Sequence, residues 1–376
     1  MMKNLLKYAS LLFAAVMLFA CGKVAPDNTD DDGNGYTPDD SGLVLKADKQ
    51  YIHANGEDAV TLTVTYNGLP MTEDIIFSNS EGEVLDIEGP DYVFVTEEVG
   101  EYEIYAEYLV NISESIRITA VPMPVPESPE DPDADNFNFK RRILLTYFTG
   151  TDCPNCPTMK DRLKEVSEDP GYADKYVNTV VHQFGSSDPA YFSGGLPSAI
   201  GVGEYPSVAL NLDKWTLFSN ENNVNGIKAD IDEEFELAEA KVGISATVVS
   251  KDASVMVKAV VKAAVSGNYR IGAWLLEDAI EGQQKGGSKP EHHIHDDCLR
   301  IADSKVSNSD WSGHMLGYIE AGKTAEYMFS MNLKSKWKAE NCHVVIFVTS
   351  PAGSSYLVNN AIDVPFNDSV TFEYLD

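Results

Sequence analysis

Two cysteines spaced C-x-x-C lie between an apolar run and a helical pattern, and no other feature constrains the fold of this chain as strongly. Residues 143–148 are predicted to form a strand, and a polar turn then delivers Cys153 and Cys156. Apolar residues follow at i, i+4 and i+7, a spacing that places side chains on one helix face. These residues are Met159, Leu163 and Val166. The local order is therefore strand, cysteine pair, helix.

This order predicts a thioredoxin-like α/β domain over residues 139–240. Cys153 is the candidate nucleophile, because unpaired backbone N–H groups and the helix dipole at a helix start favour a thiolate. Cys156 is the candidate resolving thiol. Pro206 lies about fifty residues after Cys156 and opens a strand-like run. Thioredoxin-like folds carry a cis-proline at this place, facing the cysteines.

Three features around the motif disfavour catalysis. Asp152 precedes Cys153, and a neighbouring carboxylate disfavours the thiolate form. The bulky Tyr205 narrows the groove in which a substrate strand would pair, and Pro154 and Pro157 stiffen the turn. A permanently closed structural disulfide is the favoured interpretation, and thiol–disulfide exchange is the alternative.

The N-terminus has the pattern of an export signal. Lys3 and Lys7 precede an apolar run at residues 11–20, which is too short for a transmembrane helix of ~20 residues. The sequence L-F-A-C-G at residues 18–22 resembles a bacterial lipobox. The resemblance implies that residues 1–20 are a signal peptide and that Cys21 is acylated. We therefore expect the membrane as a partner, through a lipid anchor at Cys21.

Charge and composition define two linkers and exclude one class of partner. The chain has 28 Lys and Arg against 59 Asp and Glu, a formal charge of −31, so it repels nucleic acid. Residues 21–41 are acidic and nearly without apolar side chains, which predicts a flexible tether. Residues 122–138 are rich in proline and acidic residues, which predicts a semi-rigid linker.

Two further regions show strand patterns. In residues 42–121, apolar and threonine side chains alternate and an Asn-Gly pair at residues 67–68 predicts a hairpin turn. This region resembles bacterial immunoglobulin-like modules, which implies a β-sandwich acting as a spacer. Residues 241–376 also alternate, which predicts a C-terminal β-sandwich. The predicted fold is multidomain: an Ig-like β-sandwich, an α/β thioredoxin-like domain and a second β-sandwich.

The cysteine count predicts a second disulfide. Apart from Cys21, four cysteines remain, and an even number in an exported protein predicts two disulfides. Four cysteines allow three connectivities. The closeness of Cys153 and Cys156 in sequence favours that pair, which leaves Cys298 with Cys342.

A loop at residues 283–298 contains three histidines among carboxylates: His292, His293 and His295. Histidine and carboxylate suit zinc or another transition metal, but the spacing matches no zinc motif. If the loop is extended, His293 and His295 share a face and offer two ligands. A hydrogen-bonded histidine loop is favoured, and no metal or other cofactor is assigned. The remaining histidines are scattered without an evident Ser or Asp partner: His53, His182, His314 and His343.

Several strings carry a family resemblance. L-T-Y-F-T-G at residues 145–150 runs into C-P-N-C-P at 153–157, and G-E-Y-P-S follows at 203–207. More loosely, H-I-H-D-D-C-L-R at residues 293–300 fits the same family. With these strings, residues 139–376 resemble the Bacteroidetes outer-membrane lipoprotein family named after a twenty-eight-kilodalton outer membrane protein. The resemblance implies a thioredoxin-like domain joined to a β-sandwich on an envelope lipoprotein, and no defined activity.

These patterns favour a non-enzymatic binding or adhesion protein at the outer membrane or cell surface. The modular layout supports this interpretation: a tether, a spacer, a linker and a two-domain head follow one another along the chain. The expected ligand is a protein or a glycan. In this interpretation the Cys153–Cys156 disulfide is structural. The alternative is an envelope thiol–disulfide oxidoreductase that uses Cys153 as nucleophile and Cys156 as resolving thiol.

Overall fold

The computed structural model describes residues 42–213, 216–217 and 223–375. The predicted signal peptide, the lipidation site Cys21 and the acidic tether lie outside the described residues. Within the described part of the chain, no helix has both the length and the apolar character needed to cross a membrane.

The protein is mainly β, with several separate sheets and a mixed α/β region. The helices are α1 (Cys156–Ser167), α2 (Leu196–Ile200) and α3 (Val224–Leu237). The strands before the proline-rich segment are β1 (Leu43–Ala47), β2 (Tyr51–His53), β3 (Val60–Tyr66), β4 (Leu69–Met71), β5 (Ile76–Asn79), β6 (Val84–Leu85), β7 (Tyr92–Phe94), β8 (Gly100–Tyr108), β9 (Asn111–Ile112) and β10 (Ile116–Val121).

Further strands follow that segment. They are β11 (Ile143–Thr149), β12 (Tyr176–His182), β13 (Ser207–Leu210), β14 (Thr216–Leu217), β15 (Val242–Lys251), β16 (Ser254–Ala263), β17 (Gly267–Glu277), β18 (Ile280–Glu281), β19 (Ile294–His295), β20 (Cys298–Asp303), β21 (His314–Ile319), β22 (Thr324–Asn332), β23 (Cys342–Ala352), β24 (Ser355–Pro365) and β25 (Ser369–Val370).

Two sheets form the first module. One has the order β1-β3-β4 with β7 also paired to β3, and the other has the order β2-β10-β8-β5-β6 with β9 paired to β8. Val60, Leu62 and Val64 are buried, while the threonines between them are exposed, as the alternation of the sequence requires. The inward faces share one apolar core that includes Ile52 and Ile104.

A nine-stranded sheet forms the centre of the remaining chain. Its order is β14-β13-β11-β12-β20-β17-β23-β24, with β21 also paired to β17. Strand β11 runs parallel to β12 and antiparallel to β13. A parallel contact between Val180 and Cys298 joins β12 to β20. The sheet therefore crosses the domain boundary that the sequence predicts between residues 240 and 241.

The apolar cores follow the faces of this sheet. Helices α1 and α3 cover one face of β11 to β13. A four-stranded sheet, β22-β16-β15-β25, packs on β17, β23 and β24. A further core runs from Leu144 and Phe148 on β11 to Trp274 on β17 and Phe347 on β23. This core belongs to both predicted domains.

The proline-rich segment lies against the four-stranded sheet. The carbonyl oxygen of Glu127 accepts a hydrogen bond from Thr247 Oγ1, and the side chain of Met123 packs with Met256 and Met328. The backbone N–H of Met328 also donates to Tyr51 Oη, 3.1 Å away, in the first module. The linker thus has buried contacts of its own, which its proline content did not predict.

Candidate functional site

The C-x-x-C turn lies at the N-terminal end of α1. Strand β11 ends at Thr149, and Cys153 and Cys156 form a disulfide with a Cα–Cα distance of 5.5 Å. Tyr147, which is buried in the strand, donates a 2.8 Å hydrogen bond from its hydroxyl to the carbonyl oxygen of Cys156. Burial raises the pKa of Tyr147 far above its usual value, so its hydroxyl remains a donor. The strand therefore fixes the first turn of α1.

Pro206 lies at the same edge of the sheet. The Tyr205–Pro206 peptide bond is cis. The next residue, Ser207, pairs with Phe148 at the end of β11. Strand pairing thus brings Pro206 beside the chain that leads into the cysteines. Tyr205 packs against Phe184, with ring centroids 5.5 Å apart.

A segment of the C-terminal region covers the cysteines. The side-chain amide of Gln284 donates to the carbonyl oxygens of Gly150, Thr151 and Cys153, at 3.2, 3.3 and 2.9 Å. The Lys285 N–H donates to the same Thr151 oxygen at 2.8 Å. Under this cover, which we call the 284–287 segment, Cys153 is 2% exposed and Cys156 is 1% exposed.

The close approach of this segment depends on a glycine. Gly286 has a φ of +75°, and a Cβ atom there would clash with the carbonyl oxygen of Pro154 inside the C-x-x-C turn. Only a residue without a side chain permits both the left-handed backbone and this contact. Gly286 therefore allows the 284–287 segment to contact the C-x-x-C turn, which is distant in the sequence.

A cavity of about 520 Å³ opens beside the disulfide, between α1, β12 and residues 291–297. Its apolar wall includes Leu163 and Val180, and Cys156 is also among its lining residues. Lys160 on α1 donates to the carbonyl oxygens of Glu291, at 2.7 Å, and Ile294, which closes one side. The cavity therefore has walls from both the α/β region and the C-terminal region.

A buried histidine–aspartate pair borders this cavity. His182 Nδ1 lies 2.8 Å from Asp188 Oδ2, and the two side chains are 1% and 0% exposed. Burial would raise the pKa of Asp188, but hydrogen bonds from His182 and from the N–H groups of Thr151 and Ala190 hold it at about 2. The His182 ring lies edge-on to His295 at 4.7 Å. Burial, together with His182, lowers the pKa of His295 to about 4.

The histidines of the predicted loop make separate hydrogen bonds. His292 Nε2 lies 3.0 Å from Asp161 Oδ1 on α1, and His293 Nδ1 accepts from the Gln284 N–H at 3.1 Å. His295 Nε2 donates to the Gly282 carbonyl oxygen at 3.1 Å. These bonds hold the loop against α1 and the 284–287 segment.

Three histidines for which the sequence showed no evident partner each lie beside an aspartate. Besides His182 with Asp188, His314 Nε2 lies 2.6 Å from Asp303 Oδ1. His343 Nδ1 lies 2.6 Å from Asp363 Oδ1. Burial lowers the pKa of His343, but the carboxylates of Asp278 and Asp363 outweigh it and raise the pKa to about 10. The pairing of β23 with β24 brings His343 to Asp363, and β17 holds both β20, which carries Asp303, and β21, which carries His314, so no short motif could reveal these contacts.

The predicted disulfide between Cys298 and Cys342 is not formed, and both are buried free thiols. Strand register gives the reason. Cys298 on β20 and Cys342 on β23 both pair with Glu277 of β17, from opposite sides. They are thus two strand spacings apart, about 10 Å, whereas a disulfide needs Cα atoms about 4.4–6.8 Å apart. Burial raises the pKa of Cys298 well above its usual value and that of Cys342 to about 12.

Part of the chain matches a known protein family. Residues 194–365 match the family model described as Outer membrane protein Omp28. These residues form an Omp28 family domain. The Omp28 match confirms the resemblance seen in the sequence. It includes Pro206 and the 284–287 segment, and it begins after Cys153 and Cys156.

Two solved structures are similar to this chain. HBP35 of Porphyromonas gingivalis is 17% identical, with 61% of this chain and 76% of that chain covered and a TM-score of 0.51. A domain of the outer membrane lipoprotein Omp28 from the same organism is 19% identical, with 34% and 89% covered and a TM-score of 0.24. The likeness to HBP35 supports the fold over the covered part of the chain, in which the mixed α/β sheet is consistent with a thioredoxin-like region. No curated protein matches this sequence.

Proposed function

We propose that this chain is a cell-envelope lipoprotein, anchored to the outer membrane through Cys21, whose head binds a ligand and does not catalyse thiol–disulfide exchange. The observation that carries this proposal is the burial of Cys153 and Cys156 under the 284–287 segment. Exchange proceeds through a mixed disulfide, so a catalytic cysteine must meet the sulfur of a second protein. A disulfide that is covered in this way is suited to stabilising the C-x-x-C turn rather than to exchange.

The architecture fits this assignment. We assign residues 42–121 to an Ig-like sandwich that acts as a spacer, residues 139–240 to a thioredoxin-like domain, and residues 241–376 to a C-terminal β-sandwich. The two packed sheets of the first module and the fold shared with HBP35 support these assignments. The family description supports the outer membrane as the location.

The cavity beside the disulfide is the proposed binding site. Its volume of about 520 Å³ lies within the usual size of small-ligand pockets. Its walls combine the apolar Leu163 and Val180 with the imidazole side chains of His182 and His295. Such a mixture suits a small organic ligand, or one residue of a glycan or peptide, with an apolar face and a few polar groups.

The redox part of the proposal is tested by labelling thiols of the mature chain across a series of redox buffers. We expect a reduction potential below about −300 mV, as in structural disulfides. A potential between about −120 and −270 mV, together with a mixed disulfide trapped on Cys153, would contradict the proposal.

The binding part is tested by ligand-observed NMR with a defined probe set of monosaccharides, amino acids and dipeptides. We expect at least one probe to bind, and Val180→Phe to abolish the signal by filling the cavity. Val93→Phe is the matched control, because Val93 lies partly exposed on β7 of the first module. We also expect the probe to bind when both Cys153 and Cys156 are replaced by serine, which would show that binding does not require the disulfide. Equal binding by Val180→Phe and the unmodified chain would exclude this cavity.

A specific observation favours one alternative function, thiol–disulfide exchange by Cys153 and Cys156. Cys156 begins α1, Cys153 lies in the turn before it, and strand pairing places Pro206 beside the same turn. Exchange would require the 284–287 segment to leave the cysteines. Reduction of insulin by the mature chain, lost in Cys153→Ser, would select this function over ligand binding.

A further inference from the structure

Three potential ligand atoms converge where the α/β region meets the C-terminal region. Asp278 directly follows β17, Asp297 directly precedes β20, and His343 lies on β23. His343 Nε2 lies 3.5 Å from Asp278 Oδ1 and 3.7 Å from Asp297 Oδ1. In the described part of the chain, these three form a group whose ligand atoms all lie within 4.8 Å of one another.

The imidazole of His343 points an unsatisfied nitrogen into this group. His343 is 8% exposed, and its Nε2 atom is buried without a hydrogen-bond partner. Buried polar atoms almost always have a partner, so an orphaned nitrogen between two carboxylates needs an explanation. A cation held between the three side chains satisfies all of them.

The surrounding contacts orient each side chain. Asp363 Oδ1 lies 2.6 Å from His343 Nδ1, so the neutral imidazole that a metal ion requires would keep its proton on Nδ1 and turn its lone pair on Nε2 towards the ion. Asn178 Nδ2 donates to Asp297 Oδ2 at 2.6 Å, which leaves Oδ1 towards His343. The Asp297 N–H donates to Asp278 Oδ1 at 2.7 Å. A carboxylate behind a ligating histidine is the usual outer partner in zinc sites.

The two distances from His343 are close to those of a tetrahedral site. Metal–ligand bonds of about 2.0–2.1 Å place tetrahedral ligand atoms about 3.3 Å apart. The two distances from His343 Nε2, 3.5 and 3.7 Å, exceed this by only a few tenths of an ångström. Imidazole with carboxylates suits zinc among the divalent metals, and a fourth position remains for water.

We infer that Asp278, Asp297 and His343 bind one divalent transition-metal ion, with Zn²⁺ as the best fit. The ion would tie β17, β20 and β23 together beside β12, where one backbone pair joins the two halves of the sheet. A proton on His343 Nε2 is the competing occupant, since an imidazolium between carboxylates satisfies the same atoms. The inference does not depend on the proposed ligand cavity.

Zinc binding to the chelator-treated full chain tests this inference. Titration with ZnCl₂ by calorimetry should give one equivalent per chain, and His343→Ala and Asp297→Asn should each remove it. Asp363→Asn should weaken binding by about 10–100-fold, because it only orients a ligand. His314→Ala is the matched control: it also breaks a histidine–aspartate pair, with Asp303, outside the group.

A second readout separates lost ligands from lost folding. Co²⁺ in place of Zn²⁺ should give the intense visible absorption of a tetrahedral complex with the full chain and with His314→Ala. Circular dichroism of Asp297→Asn checks that the fold persists. The inference is overturned if the full chain binds no Zn²⁺, because a proton then occupies the site. It is equally overturned if His343→Ala and Asp297→Asn bind Zn²⁺ as the full chain does.

Discussion

Asp188 shows how a single side chain connects the C-x-x-C turn to the strand beside it. Its carboxylate accepts from the Thr151 N–H at 2.7 Å and from the Ala190 N–H at 2.8 Å, and it pairs with His182. Charge-assisted hydrogen bonds of this kind stabilise the ionised carboxylate more than neutral bonds would. Asp188 therefore needs its charge to hold the turn.

The low pKa of Asp188 predicts an acid-sensitive fold. A carboxyl group whose pKa is about 2 when folded, against about 4 when unfolded, stabilises the protein above pH 4 by about 2–3 kcal/mol. This contribution is lost as the pH falls from about 4 to about 2. We expect Asp188→Asn to lower the free energy of unfolding at pH 7 by about that amount and to flatten the acid limb, measured by urea unfolding.

The control for this prediction is Asp91→Asn. Asp91 is an exposed aspartate of the first module, so its replacement should leave both the stability and its acid limb unchanged. If the free energy of unfolding of Asp188→Asn still falls steeply below pH 4, other carboxyl groups cause the pH dependence.

At the scale of elements, the 284–287 segment decides whether the disulfide at the start of α1 is reachable. The segment is held by the Gln284 amide and by the backbone contact at Gly286. Loss of one buried hydrogen-bonding side chain costs about 1–3 kcal/mol. The cover is therefore stable, yet one substitution can weaken it.

Gly286→Ala should expose the disulfide. The added Cβ clashes with Pro154, and destabilising the cover by 1–2 kcal/mol raises its open fraction by about 5–30-fold. We expect the rate of disulfide reduction by dithiothreitol to rise by a similar factor, followed by thiol labelling. Gly353→Ala is a matched control: Gly353 also has a left-handed φ, of +62°, but nothing lies within 4 Å of its Cβ position. An equal rate increase in both variants would attribute the effect to backbone strain.

At the scale of the whole molecule, Lys262 anchors the proline-rich segment on the C-terminal region. Its ammonium group donates to Asp131 Oδ2 at 2.8 Å and to the Ala134 carbonyl oxygen at 2.7 Å. It also lies 4.7 Å from the centre of the Phe137 ring. The Lys262 side chain is only 4% exposed, so these partners replace its water. The anchor fixes the segment that connects the first module to the rest.

Lys262→Met should release this segment. Because the substitution removes the donor from Asp131 and from the Ala134 carbonyl oxygen, we expect a loss of about 1–3 kcal/mol in the free energy of unfolding. Limited proteolysis should then cut within residues 122–138 faster than in the unmodified chain. Lys258→Met on the same strand is the control, since Lys258 pairs only with a more exposed Glu326 and should cost less than about 1 kcal/mol. Unchanged proteolysis in Lys262→Met would contradict this role.

Local patterns predicted what depends on neighbours in the chain. The alternation along β3, the C-x-x-C spacing before α1 and the place of Pro206 were readable because side-chain direction and short loops follow from the backbone. The family strings added the link to Omp28. These features establish the types of fold and the candidate chemistry of the cysteines.

Tertiary structure alone decided the contacts between distant residues. Cys298 and Cys342 remain thiols because strand β17 lies between them, a register that no cysteine count reveals. Strand order likewise brings His343 between Asp278 and Asp297, and a folded loop places Gln284 over Cys153. The sequence by itself determined which residues could carry chemistry. Long-range pairing determined which of them meet, because the register of a sheet depends on all its strands together.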